Sequence, residues 1–234
     1  MSNMFFRHEP VIFPRLKQHN LSVGRVYKVE TGKDTGAVLP SITRILSAKP
    51  KPHLEAWRER VGRAEAAKIT ARAGARGSNL HKLGECYLGN HDLPPITPIV
   101  GELWQHLHPW LTEHITCVVA QEQDLYSTKL KVAGRMDLLA EVDNALAVVD
   151  LKQANQPKKR EWIEDYFLQT TFYACAVYEL TGLKVKKLVL PITNPTGIQI
   201  FEEKPTTYLP MLIERISEFY QYYDAASNTV AIPA

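Results

Sequence analysis

Two acids and a lysine sit where an apolar stretch should carry no charge. From Leu130 the chain reads LKVAGRMDLLAEV, then Asp143-Asn144, then ALAVVDLK. Two runs rich in Val, Leu and Ala around a two-residue Asp-Asn step predict a strand, a tight turn and a second strand. Asp137 interrupts the first run, and Asp150 and Lys152 end the second. Side chains alternate faces along a strand, so Leu146, Val148, Asp150 and Lys152 share one face. A charge inside a strand core is costly unless it is paired or binds a metal. Asp137, Asp150 and Lys152 therefore read as one site assembled across a hairpin. Two carboxylates supply hard oxygen ligands for Mg²⁺. Such a metal acidifies its bound water and stabilises charge on a phosphoryl oxygen. A lysine beside it orients that water or neutralises the developing charge. The chemistry is metal-assisted hydrolysis. Taken alone, Asp-x-Lys reads far more often as an ordinary ion pair at a strand end, because such tripeptides are common.

The neighbouring segments decide between these readings. Arg160 to Leu180 has helical spacing, with Trp162, Tyr166, Tyr173, Val177 and Leu180 on one stripe. Gln169 falls in that stripe, one turn before Tyr173. A Gln on an apolar face must find hydrogen bonds, and alone it reads as a core Gln bonded to backbone. Taken in order, the chain carries Pro40-Ser41-Ile42-Thr43-Arg44-Ile45-Leu46, Arg76-Gly77-Ser78-Asn79-Leu80-His81, Gly134-x-x-Asp137, Asp150-x-Lys152 and Gln169-x-x-x-Tyr173-Ala174. This series resembles the RecB-type branch of the PD-(D/E)XK nuclease superfamily. Within it the series resembles the mitochondrial genome maintenance exonucleases and their phage relatives. The resemblance runs from about Pro40 to Tyr178.

The resemblance implies a restriction-endonuclease-like fold and a metal-dependent DNA exonuclease. Asp137 and Asp150 would bind Mg²⁺ or Mn²⁺, the Leu151 carbonyl would complete the shell and His81 would support the metal. Lys152 would position the attacking water. Gln169 and Tyr173 would orient Lys152 or a phosphate. Ser41, Thr43 and Arg44 would touch DNA phosphates, although a plain capped helix explains them as well. Arg76, Lys158, Lys159 and Arg160 would hold the DNA backbone, with a solvated basic surface as the other reading. Glu85 pairs with Lys82 or orients His81. Glu122 reads as second to the ligands rather than as one of them. Arg135 contacts a phosphate or pairs with an acid. Two departures stand out: Met136 occupies the place of the superfamily's proline, and Gln153 replaces the Thr or Ser that commonly follows the lysine.

Single-stranded DNA with a free end is the expected substrate. An exonuclease on duplex ends, as in phage recombination, and a non-catalytic DNA-binding or assembly module of the same fold are the alternatives. No Walker-type phosphate loop is present, so any ATP-driven step needs another protein.

The elements that must position these residues are legible in outline. Residues 1–23 read as a poorly patterned arm, followed by a hairpin in Gly24 to Leu39, where Tyr27 and Val29 alternate with charges. Ser41 caps a short helix. Two helices follow, one over His53 to Ala71 and one opening at His81, broken by Ala73-Gly74-Ala75-Arg76-Gly77. Arginines along them follow a phosphate backbone or make a solvated face. Ile99 to Glu113 is a helix that Pro109 kinks or ends early. Ile115 to Tyr126 is a strand interrupted by Glu122. Val185 to Ile192 and Gly197 to Glu202 are strands around Asn194-Pro195-Thr196-Gly197. Thr207 caps a last helix reaching Ala225, and the final residues fray. The expected architecture is α/β (α+β), a mixed central sheet flanked by helices with an N-terminal helical elaboration. It divides into an arm and hairpin (1–39), a helical region (40–113) and the nuclease core (114–234), within one compact domain overall.

Composition sets the bounds. The chain has 234 residues, 45% of them hydrophobic, and a net charge of +3. That is a globular chain whose mild charge permits a nucleic-acid partner without demanding one. No apolar run approaches the roughly 20 residues of a membrane span. MSNMFFRHEPVIFPRLK lacks the apolar core of a secretory signal. A bacterial or phage-infected cytoplasm is expected, with the mitochondrial matrix as the alternative. Cys86, Cys117 and Cys175 are widely spaced, which fits reduced thiols. The four clustered cysteines that bind an iron–sulfur cluster in some RecB-type nucleases are not expected here.

Overall fold

The computed structural model describes residues 5–223. A two-residue strand β1 (Arg7–His8) precedes a meander of β2 (Leu16–Leu21), β3 (Gly24–Val29) and β4 (Val38–Pro40). Three helices follow, α1 (Ile42–Ala48), α2 (Pro52–Val61) and α3 (Arg63–Leu88), and then α4 (Pro98–His114). The central strands are β5 (Ile115–Ser127), β6 (Val132–Val142), β7 (Ala145–Val149) and β8 (Lys152–Gln153). A 3-10 turn (Arg160–Trp162) leads into α5 (Glu164–Thr181), and β9 (Lys187–Asn194), β10 (Gly197–Glu203) and α6 (Pro205–Tyr223) complete the described chain.

Asp143 and Asn144 both take left-handed backbone, φ 49° and 64°. That is the turn whose twist matches flanking strands, and it fixes β6 against β7. β5, β6 and β7 are antiparallel neighbours, β1 joins β5 in parallel, β7 and β8 run parallel to β9, and β10 returns antiparallel. The sheet is mixed, as expected, and helices cover both faces. On one face α1, α5 and α6 bury Ile42, Ile45, Phe167, Phe172, Tyr173, Leu212 and Ile216 against Val148, Leu188 and Leu190. On the other, α3 and α4 bury Leu80, Leu83, Leu103, Leu107 and Trp110 against Val118, Ala147, Val149 and Val189. No described helix is long and apolar enough to cross a membrane.

Several boundaries differ from the sequence reading. The supposed arm contains β1 and β2; β2 pairs with β3 along its whole length, so the expected hairpin is a three-stranded sheet. The break in the helical region lies at Gly62, whose φ of 89° suits glycine, not at residues 73–77. Ala73 and Ala75 flank Gly74, and their high helix propensity helps α3 run on through Gly77. His81 therefore sits within a long helix rather than opening one. Pro109 does not end α4 early, since the helix runs on to His114; Pro109 and Gln105, whose carbonyl loses its partner, both face solvent. α6 opens at Pro205 instead of being capped by Thr207, which leaves Pro210 in the second turn on the exposed side. The expected end of α6 at Ala225 and the fraying of the final residues lie outside the described residues. Trp162 faces solvent rather than the core stripe.

Glu179, near the end of α5, ties this helix to the β5–β6 turn. Its carboxylate accepts from Ser127 Oγ (2.5 Å), Thr128 Oγ1 (2.8 Å) and the Thr128 amide (3.0 Å). Burial alone would raise the carboxyl, but these donors hold it below its ordinary value. Its contribution is therefore present above the ordinary glutamate range and is lost as pH falls through the lower folded value. Glu179→Ala is expected to cost about 1–3 kcal/mol at neutral pH. Denaturant titrations should show that difference shrinking below about pH 4.

Candidate active site

Strand register brings three acids level with one another. Leu138 pairs with Val149, which sets Asp137 beside Asp150 just past the end of β7. Gln121 pairs with Leu138 and Gln123 with Met136, which sets Glu122 beside Asp137. Alternation slips at this row: Met136 packs in the α5-side core and Leu138 in the α3-side core, although they are two residues apart. Glu122 itself has φ 45°, an uncommon conformation for a non-glycine residue. Past Val149 the second strand leaves the hairpin. The Asp150 amide donates to the Val189 carbonyl (3.0 Å), while the Leu151 amide donates to Asp137 Oδ2 (2.9 Å). The backbone of one acid-bearing segment thereby fixes the carboxylate of the other.

His81 reaches this row from the α3 face. Gly84, one turn later, lets the helix lie on the chain: a Cβ there would stand 2.8 Å from Leu151 Cδ1. His81 Nε2 is 2.7 Å from the Leu151 carbonyl, and Nδ1 is 3.5 Å from Asp137 Oδ2. A carbonyl only accepts, so Nε2 carries a proton. Nδ1 then faces Asp137 either as a second N–H or as a lone pair sharing a cation with the carboxylate. His81, Glu122 and Asp137 can each present a ligand atom within 4.8 Å of the others. Glu122 has no protein hydrogen-bond donor among the described residues; burial pushes its carboxyl up, and His81 partly offsets this. One imidazole nitrogen and two carboxylates, one of them undonated, fit a divalent cation.

Asp150 and Lys152 approach from the α5 face. Asp150 is 0% exposed and ion-pairs with Lys152, itself 19% exposed. No hydrogen bond from any other described group reaches the Asp150 oxygens. Burial pushes the Asp150 carboxyl up, Lys152 pulls it back, and Asp137 pushes it up again. Burial would depress the Lys152 ammonium, but Asp150 and Asp137 outweigh that and hold it above its ordinary value. Lys152 Nζ also lies 5.2 Å from the Tyr166 ring centre. Gln169 Nε2 donates to the Tyr173 hydroxyl (3.0 Å). Burial first, and then the Asp150 charge, raise Tyr173 well above the usual phenol range, so it keeps its proton. Gly134 supplies the space for the Tyr173 ring.

The other sequence candidates are placed as follows. Ser41 is buried and caps α1, its Oγ accepting from the Arg44 amide (3.1 Å) and lying 3.0 Å from Thr43 Oγ1. Arg44 packs over Phe219 and lines a cavity of about 520 Å³ with Asn20, Arg25 and Thr43. Arg76 donates to Gln153 Oε1 (2.8 Å) and Asn155 Oδ1 (2.5 Å). Gln153 Nε2 donates in turn to the Ala73 carbonyl (3.1 Å). This latch joins α3 to the strand carrying Lys152. The sequence flagged Gln153 only as a departure, and its bonding partners lie about eighty residues away, beyond the reach of any local pattern. Glu85 pairs with Lys82 (2.8 Å). Arg135 makes a two-pronged bond to Asp124 (2.8 and 2.9 Å), which settles it as an acid partner. Arg160 pairs with Glu203 and lies over Phe167, while Lys158 and Lys159 have no carboxylate partner among the described residues.

A family model described as the PD-(D/E)XK nuclease superfamily matches residues 49–208, more than half of the chain. None of the curated proteins matches. Among the solved structures that match is one described as SSO0001, 14% identical, with a TM-score of 0.43, covering 78% of this chain and 75% of that one.

Two glycine substitutions separate packing at the site from helix propensity. At Gly134 a Cβ would stand 3.0 Å from Tyr173 Cε1, 3.1 Å from Ile42 Cγ2 and 3.3 Å from Phe172 Cε1. Gly134→Ala should cost about 1–3 kcal/mol in denaturant unfolding. Gly74 has open space around its Cα, so Gly74→Ala should stabilise α3 by up to about 1 kcal/mol.

Proposed function

This chain belongs to the PD-(D/E)XK nuclease superfamily, and on that premise we propose that it is a divalent-metal-dependent deoxyribonuclease acting on single-stranded DNA from a free end. The observation that carries the reading is the level row of Glu122, Asp137 and Asp150, with Lys152 on one side of it and His81 on the other. Asp137, Asp150 and His81 would hold Mg²⁺ or Mn²⁺, with Glu122 within reach of the same ion and the Leu151 carbonyl as a further oxygen donor. The bound ion supplies Lewis acidity and an ionisable water. Lys152, kept protonated by the two acids, orients that water or meets the charge that develops on the phosphate. Tyr166 and the Gln169–Tyr173 pair limit where the lysine can point. The Gln153 latch keeps His81 and Lys152 in one frame, which gives Arg76 a structural task beside any phosphate contact.

The preference for a free end rests on the shape and charge of the helical elaboration. From Arg63 to Asn79 only Ala66 is buried, so the first half of α3 projects from the body with α2 beside it. Arg58 and Lys68 have glutamate partners, whereas Arg60, Arg63 and Arg72 have none among the described residues. Unneutralised cations along a projection leading to His81 would follow a phosphate backbone. Ser41, Thr43 and Arg44 belong to the same reading as more distant phosphate contacts. The three cysteines are free thiols, in keeping with a reducing, cytoplasm-like compartment.

Digestion of end-labelled linear single-stranded DNA tests the activity. Wild type should degrade it only with Mg²⁺ or Mn²⁺, and Asp150→Asn should reduce the rate about a hundredfold or more. A sealed single-stranded circle should persist, and a blunt duplex should be cut more slowly. Equal cutting of circle and linear strand would remove the free-end requirement. DNA binding without any cleavage would support a non-catalytic module.

A further inference from the structure

The chain has four tryptophans. Trp104 and Trp110 are buried and Trp57 is half-buried, but Trp162 is 54% exposed. It ends the 3-10 turn that leads into α5, with its amide bonded to the Lys159 carbonyl (3.0 Å). Lys159 Nζ lies 5.3 Å from its ring centre. The segment before it is held rather than loose: the Lys158 amide donates to Gln199 Oε1 (2.7 Å), and Gln199 Nε2 donates back to the Lys158 carbonyl (3.1 Å). Glu203 neutralises Arg160, but neither Lys158 nor Lys159 has an acid partner among the described residues. Tyr166, whose ring lies under Lys152, follows four residues later in the first turn of α5. An exposed indole and two unneutralised ammonium groups thus stand a few residues before the one whose ring supports the site's lysine.

We propose that Trp162 is a stacking platform for an unpaired nucleobase next to the scissile phosphate, with Lys158 and Lys159 holding that nucleotide's backbone. The inference rests on the nuclease reading above and adds a site to it. An indole face accepts any base, so the platform contributes affinity without sequence preference. A base inside a duplex has both faces covered by its neighbours, so the same platform discriminates against paired DNA until an end frays. The lysines complete the recognition, because each stacked base brings a phosphate with it.

Full-length Asp150→Asn protein, titrated with a short oligothymidylate, provides the test. Trp162 is the exposed indole, so its fluorescence should be quenched on binding, and Trp162→Phe in the same background should abolish most of that quenching. Trp162→Ala should weaken oligothymidylate binding roughly 5- to 150-fold, and Trp162→Phe only a few-fold. An abasic strand of equal charge should bind parent and Trp162→Ala alike, and duplex affinity should not change. Unchanged oligothymidylate affinity in Trp162→Ala would overturn the inference while leaving the nuclease reading intact. So would equal losses for the base-bearing and abasic strands, since that is charge or folding rather than stacking. If wild type neither binds nor cuts DNA, the nuclease reading falls and takes this inference with it.

Discussion

A carboxylate with no solvent exposure has been placed at the end of a strand, and the rest of the site follows from that. Asp150 has lost its water, a loss worth several kcal/mol per ion, and only an opposite charge in direct contact recovers it. Lys152 supplies that charge from the next residue but one. In the same segment the chain leaves the β6–β7 hairpin after Val149 and pairs with β9 again at Lys152. The departure frees the Leu151 amide for Asp137 and turns the Leu151 carbonyl to His81. The buried ion pair and the change of strand partner thus occupy one short segment, and the backbone of that segment orients the remaining groups.

The site lies where the two helical layers meet around the end of a strand pair. Its acids belong to the sheet, its imidazole to the α3 layer, and its Gln–Tyr pair to the α5 layer. Each layer comes close because a side chain is missing, at Gly84 under α3 and at Gly134 under α5. Polar residues complete the frame, with Gln153 and Arg76 on one side and Gln169 and Tyr173 on the other. Each of those bonds is directional, so positions as well as separations are fixed.

The hairpin was the most legible part of the chain, because Asp143-Asn144 and the apolar runs around it encode turn and register locally. Gln169 facing Tyr173 was legible too, since the two are one helical turn apart. The break at Gly62 was not: glycine-containing residues 73–77 carry the stronger local signal, and only the alanines around them and the packing of α3 on Leu151 override it. β1 and β2 were missed because a two-residue strand and a polar one have no periodicity to detect, and their pairing partners supply the order. Arg76 drew attention as a cation, but its partners are set by a contact that spans nearly eighty residues. Glu122 was visible as an interruption, while its place beside Asp137 depends on β5–β6 register and on a backbone angle that composition does not reveal.

α3 is one unbroken rod from Arg63 to Leu88. It rests on Leu151 through Gly84, and His81 lies one turn from that point of support. The outer end at Arg63 lies about 27 Å from His81. The helix thus has the shape of a lever, supported beside the acid row and exposed along its outer half. The exposed projection and the imidazole beside the acid row therefore belong to one continuous element, with the Gln153 latch between them.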